Sequence, residues 1–596
     1  MNNSISLCMI VKNEEEYLPQ CLESAQGIVE EIILVDTGST DRTVEIAETF
    51  GAKVYHYPWN NNFSEARNFS LEKATKNWIF ILDGDDVIFP EDQKILKSFL
   101  EKPLSKDYIY NFETLSYHGD TPDENNVTIN LNPRLFPNHL GIHYEGEVHN
   151  QLIYPENMQN IIFSSTKVHH YGYLDKVIKG KNKSNRTMNL ILEQLKNDPQ
   201  NPFANFNLGT EYSNLNKNKD ALDCFYKAFD SFQPDLGYSY ILILRIIILN
   251  YREKNYENAL RFIEIGLKHY PKAADIHFYK ALIYKTLAMP LSQLDALEKA
   301  LEIGESPSPL KFFYGTGTFK AACEIGTLLI SLKEYDKAYS FLVKALQYNP
   351  RFYNPLYDIA HILTIKKTSI KEMKDILEGF ISSDPNRFHI LGEVFYTEGF
   401  YEAALEYIDL QEKLSGINEK LLDLRLSALL RSGSFEECIA LEGINENSPE
   451  KSNIILKLNQ ALALVILREY DSAKNLLSHC SSFSPSATEQ KQIKVYESLI
   501  ALLTDEATED ISTIKEEEDY LNIIIDILSI LLMNQLYDIF EAAVKLLTLI
   551  DNKNILLALG KLYHSLGYTD YAKTEIKRSI QLFDCYDREG LEILMK

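Results

Sequence analysis

Small residues recur twelve positions apart along the last two thirds of this 596-residue chain, and no other feature restricts its fold as much. The pairs are Gly209 and Ala221, Gly326 and Ala338, Gly392 and Ala404, Ala461 and Ala473, and Gly560 and Ala572. A bulky residue stands three positions after each first member (Tyr212, Leu329, Phe395, Leu464, Tyr563), and another four after each second (Phe225, Leu342, Ile408, Leu477, Ile576). Antiparallel helices cross closely only where side chains are small, and the bulky positions then fill the gaps between successive hairpins. The spacing predicts an all-helical repeat domain over 196–596, in one array or two sub-arrays, with a further copy around Ala259 and degenerate segments near 290 and 430. Pro271 and Pro350 fall where repeats would end. Stacked hairpins form a superhelix whose concave face suits an extended peptide or protein, the alternative being that the array dimerises or braces its neighbour.

Residues 1–195 follow a different rule. Ile5–Val11 is an apolar run, and Leu18, Leu22, Ala25 and Ile28 then recur at helical spacing. Ile32–Val35 is a second strand stopping on Asp36, and Thr37-Gly38-Ser39-Thr40-Asp41 supplies turn and capping residues for a helix closed by Gly51. Lys53–Tyr57 reads as a third strand, Ser64 as the cap of the next helix, and Trp78–Leu82 as a fourth strand running into Asp83-Gly84-Asp85-Asp86. This alternation predicts an α/β domain with a mostly parallel sheet covered on both faces.

In such sheets the ligand crevice lies beyond the carboxyl ends of the strands. Asp36 and the Asp83 cluster occupy two of those ends, and Asn13 with Glu14 or Glu15 a third. Carboxylates so placed suit a hard divalent cation that in turn holds a phosphate. A lone Asp after a strand also commonly caps the next helix, and for Asp41 that role stands beside the ligand role. A dinucleotide fold is disfavoured by the first turn, which lacks Gly-x-Gly-x-x-Gly and offers carboxylates where a pyrophosphate needs bare amides. A calcium loop is excluded by Val87 at its fifth position. Tyr314-Gly315-Thr316-Gly317 looks like a phosphate loop, but no strand precedes it and it reads as a connector between helices.

Four segments, Cys8–Glu15, Val35–Thr43, Phe63–Asn68 and Asp83–Asp86, stand in the order and spacing of family 2 glycosyltransferases of the GT-A (Rossmann-like) fold, which the chain resembles. The helical part resembles tetratricopeptide repeats. The subgroup that fuses the two includes bacterial enzymes that glycosylate bacteriocin peptides, flagellin or other surface proteins. The resemblance implies a nucleotide-sugar donor, expected to be a UDP-sugar, held by Val11, Asn13, Glu15, Asp36, Ser39, Asp41, Arg67, Asp83 and Gly84. It implies Mn²⁺ or Mg²⁺ on Asp83 and Asp85, joined by His170 of the segment Lys167–Tyr173. Arg134-Leu135-Phe136 and Gly141–Asn150 resemble the subgroup's second conserved block, with Asn150 where relatives usually carry Glu. A general base assigned to that Glu does not transfer here, so the candidates are His149, Glu145 and Glu147. The ordinary alternatives are a solvated hairpin flank for the two acids and structural roles for His149 and His170.

The formal charge of −25 argues against non-specific nucleic-acid or anionic-membrane binding. The apolar runs Tyr240–Leu249 and Ile523–Met533 contain Arg245 and Asp526 and are too short to span a bilayer. Seven cysteines without paired spacing fit a reducing compartment, and the first residues lack a basic segment followed by an apolar core, so a cytoplasmic location is expected. Asp505–Asp519 reads as a solvated acidic stretch. The expected function is metal-dependent inverting transfer of a sugar to a side chain of a peptide or protein, in a chain that the repeats allow to self-associate. The alternatives are transfer to a cell-envelope carbohydrate or lipid-linked acceptor, and an inactive transferase domain within a repeat scaffold.

Overall fold

A computed structural model describes residues 3–123, 125–147, 150–155, 158, 160–174, 176–177, 183–382, 384–441, 450–483, 485–506 and 518–595. The chain packs as two units, Met1–Pro355 and Leu356–Lys596. The first begins with a sheet of eight strands: β1 (Ile5–Val11), β2 (Glu31–Asp36), β3 (Lys53–His56), β4 (Trp78–Ile81), β5 (Asp86–Val87), β6 (Tyr108–Tyr117), β7 (Val127–Pro137) and, after the hairpin β8 (His143–Glu145) and β9 (Gln151–Ile153), β10 (Asn160–His170). Their order is β3-β2-β1-β4-β7-β6-β10-β5. The first four are parallel; β7 runs antiparallel to both neighbours, and β10 parallel to β6.

Alternation along β1 sends side chains to two apolar layers. Leu7 and Met9 pack with Leu18 and Leu22 of α1 (Leu18–Ala25) and Leu96 of α4 (Pro90–Leu100). Cys8 faces the other way, in a layer with Ile33, Ile79 and Ile81 that is covered by Leu71 of α3 (Phe63–Lys73) and Leu152 of β9. Both faces are thus buried, as the apolar runs predict. Helix α2 (Thr43–Thr49) follows the Asp41 turn. The start of α3 corrects one expectation. Its cap is Asn62, which accepts from the Glu65 amide at 3.1 Å, whereas Ser64 lies inside the first turn and donates to the Gly146 carbonyl at 2.5 Å.

Helical hairpins fill the rest of the first unit and the whole of the second. Helices Tyr256–His269 and Tyr335–Tyr348 stop just before Pro271 and Pro350. The segments near 290 and 430 form helices Pro290–Ile303 and Glu419–Ser432 despite their weak pattern. Among the described residues no helix is long and apolar enough to cross a membrane, and all seven cysteines are buried and unpaired. Most of the acidic stretch 505–519 lies outside the described residues.

The twelve-residue pairs are the helix crossings. A Cβ built on Gly209 would stand 2.7 Å from the Phe225 ring and 3.1 Å from the Ala221 carbonyl oxygen, and one on Gly560 2.6 Å from Ile576 and 3.1 Å from the Ala572 oxygen. Gly209→Val is therefore expected to destabilise the first unit by about 1–3 kcal/mol through overpacking. Gly379→Ala, at an exposed helical position with nothing within 4 Å, is expected to be neutral or to stabilise by about 1 kcal/mol. Urea unfolding followed by circular dichroism reads both; equal shifts would refute the crossing argument.

The connector from 304 to 318 ties the first repeats to the sheet, in line with its reading as a link between helices. The Ile129 amide of β7 donates to the Phe312 carbonyl at 2.7 Å, and Lys311 pairs with Glu113 of β6 at 3.0 Å. Gly317 passes so close to the Gly304 carbonyl that a Cβ would lie 1.8 Å from its oxygen.

Candidate active site

The loops after β1 and β2 build one wall. Asn13 leaves β1 at φ 53°, a left-handed conformation that Asn tolerates, and its Oδ1 accepts from the Thr40 amide at 2.8 Å. Its own amide donates to Ser39 Oγ at 3.0 Å. Asp36 pairs in register with Val11, and its carboxylate accepts from the amides of Gly38 and Ser39 at 3.2 and 3.0 Å and lies 3.3 Å from His56 Nδ1. The Asp41 carboxylate accepts from the Thr43 hydroxyl and amide and from the Glu15 amide. Burial opposes its charge, but these donors hold its pKa below the ordinary value. Asp41 thus holds the first amide of α2 from just before its cap residue, Arg42, and Val11, Asn13, Glu15, Asp36, Ser39 and Asp41 meet along one edge.

The acidic cluster forms the floor. Beyond β4 the chain turns at Asp83, whose amide donates to Asp86 Oδ2 at 2.7 Å. Gly84 admits no side chain, since a Cβ would lie 2.8 Å from Glu14. The two residues of β5 then pair antiparallel with the end of β10, setting His170 opposite Asp86. His170 Nδ1 lies 2.9 Å from Asp86 Oδ1 and 3.3 Å from Asp85 Oδ1. Gly172 leaves the room for this: a Cβ there would meet His170 Nε2 at 2.6 Å and Asp85 Oδ2 at 2.7 Å. Ligand atoms of Asp83, Asp86 and His170 all fall within 4.8 Å of one another. The trio differs in one member from the expected set of Asp83, Asp85 and His170, because Asp86 lies on the strand that pairs with His170. Alternation on β10 turns His169 away; it stacks on Phe89 at 3.7 Å and lies 2.8 Å from the Tyr117 hydroxyl.

Two arginines complete the floor. Arg67 of α3 donates to Asp83 at 2.9 Å, and Arg134 of β7 pairs with Asp86 at 2.5 Å and approaches Asp83 at 3.7 Å. Burial alone would raise the Asp83 pKa, but Arg67, then Arg134 and His170, hold it below the usual carboxylate range. Burial likewise works against a charge on His170, yet Asp85, Asp86 and Asp83 raise its pKa to about 9. The Asp83 side chain is 35% exposed, whereas those of Asp86 and Arg134 are 0% and 3%. Asp83 therefore opens to a ligand, and the Asp86–Arg134 pair holds it up from inside. The Nε atoms of Arg67 and Arg134 are buried without a hydrogen-bond partner among the described residues, and of the two guanidiniums that of Arg67, 17% exposed, is the one an entering anion can reach. One nitrogen and several carboxylate oxygens form a donor set that fits Mn²⁺ or Mg²⁺.

Hairpin β8–β9 stands over α3. Asn68 hydrogen-bonds both the amide and the carbonyl of Tyr144, at 2.7 and 2.9 Å, and the Tyr144 ring lies 5.4 Å from the Arg67 guanidinium. Glu145 and Glu147 are exposed on this hairpin, Glu145 lying 3.1 Å from His143. The Glu147 carbonyl accepts from the Phe63 amide. His149 lies outside the described residues. Asn150, in the position of the usual Glu, buries its Nδ2 without a partner among them. The sequence places Asp86 in the acidic run and Arg134 and Tyr144 in the second block, but assigns none of the three an individual role. The available signal was an arginine within the otherwise apolar end of β7.

Residues 6–136 match Glycosyl transferase family 2, and residues 319–352 match Tetratricopeptide repeat. The chain thus carries a family 2 glycosyltransferase domain of GT-A type followed by tetratricopeptide repeats. It is 27% identical over 292 residues to the SPbeta prophage-derived glycosyltransferase SunS of Bacillus subtilis, covering 47% of this chain and 66% of that protein. It is 28% identical over 275 residues to a TPR repeat-containing protein of Synechococcus elongatus, covering 44% of this chain and again 66% of the relative. The chain thus spans just under two thirds of the length of these curated relatives. Among solved structures, a tetratricopeptide repeat protein from Parabacteroides merdae is 15% identical, with a TM-score of 0.29, over 50% of this chain and 98% of that one.

Proposed function

We propose that the chain is a metal-dependent inverting glycosyltransferase that moves a sugar from a nucleotide diphosphate, a UDP-sugar, to a side chain of a peptide or protein. The reading is carried by the convergence of Asp83, Asp86 and His170 within 4.8 Å at the carboxyl edge of a parallel sheet, beside the partly exposed Arg67. Its transferase part is taken to end near residue 195, with the repeats of 196–596 presenting the acceptor. The buried, unpaired cysteines favour a cytoplasmic location.

In this reading Asp36, Asn13 and Glu15 hold the nucleoside end of the donor and Arg67 meets its diphosphate. Asp83 and His170, with Asp85 or Asp86, would hold Mn²⁺ or Mg²⁺, which when bound neutralises charge on the leaving nucleoside diphosphate. His170 must give up its proton to serve as a ligand. The acceptor hydroxyl or thiol attacks the anomeric carbon on the face opposite the diphosphate. The new bond forms as the carbon–oxygen bond to the diphosphate breaks, and the acceptor proton passes to a base, for which His149, Glu145 and Glu147 are the candidates.

One observation favours a second reading. The three acids Asp83, Asp85 and Asp86 are matched inside the protein by Arg67, Arg134 and a protonated His170, so the fold itself demands no metal, as an inactive domain in a repeat scaffold would not. Incubating the full chain with UDP-glucose or UDP-N-acetylglucosamine separates the two. The expected result is release of UDP with Mn²⁺ or Mg²⁺, reduced at least about tenfold by EDTA. No release from any UDP-sugar with either metal would leave the scaffold.

A further inference from the structure

Arg245 interrupts the apolar helix Ser239–Arg252, and nothing in the site described so far uses it. Its guanidinium lies 5.5 Å from the Phe312 ring and forms no hydrogen bond or ion pair among the described residues; its Nε has neither solvent nor partner. Burial first, then the like charge of Arg252, lowers its pKa to about 10, with Tyr173 and Glu211 acting in the opposite sense. The group is still a cation at neutral pH. A half-buried guanidinium whose Nε is sealed and to which no counter-charge is bonded among the described residues has donor capacity for an anion.

Arg245 lines a cavity of about 300 Å³ inside the first unit, together with Arg252, Asn130, Tyr173, Phe312 and Phe313. The floor is preformed. The amides of Phe312 and Phe313 donate to the buried Asp275 carboxylate at 3.0 and 3.4 Å, and Thr316 and Tyr240 hold the same carboxylate. The cavity also adjoins the transferase floor, because the Tyr173 ring lies 5.3 Å from that of His170. It lies away from the nucleoside end of the donor edge, since β1 and β4 separate β2, which carries Asp36, from β7, which carries Asn130. Its volume is at the small end for ligand sites, room for one side chain and its neighbours.

We propose that this cavity is an acceptor subsite that takes a carboxylate of a peptide or protein, with Arg245 as the anchoring cation. The planar guanidinium matches a carboxylate through paired donors, Asn130 and Tyr173 offer further polar contacts, and the two phenylalanines exclude water around the pair. The carboxylate belongs to an acidic side chain or to a chain terminus. The acceptor role rests on the transferase reading; the recognition of the anion does not.

Binding to the full chain tests the inference without requiring turnover. The probes are mixed hexapeptides, N-acetylated and C-amidated, with Asp at one fixed position, the matched Asn peptides, the Asn peptides with free C-terminal acids, and inorganic phosphate. We expect the Asp peptides, the free acids or both to bind at least tenfold more tightly than the capped Asn peptides. Arg245→Met is expected to erase that preference and Arg245→Lys to retain part of it, with UDP binding unchanged in both. Equal binding of charged and neutral peptides, a preference surviving Arg245→Met, or tighter binding of phosphate than of any carboxylate peptide would overturn the assignment. So would loss of UDP binding in Arg245→Lys, which would return the cavity to the donor. A chain that prefers carboxylate peptides yet transfers no sugar would refute the transferase reading and leave the anion site standing.

Discussion

Asp83→Asn is expected to lower sugar transfer by about 10²–10³-fold, the loss typical when one preorganised electrostatic group is removed from a reacting centre. Asparagine keeps the size of the side chain and an oxygen to accept from Arg67, now 2.9 Å away, but it cannot carry the charge that a cation requires. Because Asp83 is the partly exposed member of the cluster, the fold should lose little. Transfer measured with saturating UDP-sugar and a metal titration gives the answer. Activity within tenfold of the wild type at unchanged metal requirement would remove this carboxylate from the donor site. Asp36→Asn provides a contrast, since Asp36 sits at the nucleoside edge and its loss should act through donor binding.

Arg134→Met is expected to act on stability, costing about 3–5 kcal/mol. The substitution leaves Asp86 with no solvent and no strong counter-charge except His170, 2.9 Å away. It also releases the guanidinium hold on Thr114 Oγ1 at 3.1 Å and on the Ile81 carbonyl at 3.3 Å, the links from β7 to β6 and β4. The double variant Arg134→Met with Asp86→Leu should recover much of the loss, because two apolar groups remove the stranded charge as well as the pair. Urea unfolding of the wild type, both single variants and the double variant measures the coupling. If Arg134→Met unfolds at the wild-type midpoint, the pair is not the support inferred here.

The sequence carried the scaffold and the exposed face of the site better than its underside. Asp36 and Asp83 were legible because each ends an apolar run, and run ends in parallel sheets face the crevice. His170 was legible only through its resemblance to a family element, and alternation on β10 explains why it and not His169 faces the acids. The inner pair was hidden for a different reason. Asp86 and Arg134 are forty-eight positions apart, and their meeting depends on β7 crossing antiparallel between β4 and β6, which no local pattern specifies. Arg245 had been visible as a charge within an apolar run, where it served to argue against a membrane span. That it forms no ion pair among the described residues appears only once helix Ser239–Arg252 is placed beside the connector carrying Phe312.

One short link joins the acidic cluster to the cavity of Arg245. His170 is the last residue of β10, and Tyr173, three residues on, lines the cavity of Arg245. Three peptide units span at most about 11 Å when fully extended, so the two chambers cannot lie far apart. The Tyr173 ring, 5.3 Å from the His170 imidazole, is the wall between them. In the proposed acceptor reading, cargo and reaction floor are kept neighbours by covalent geometry, with no moving domain required.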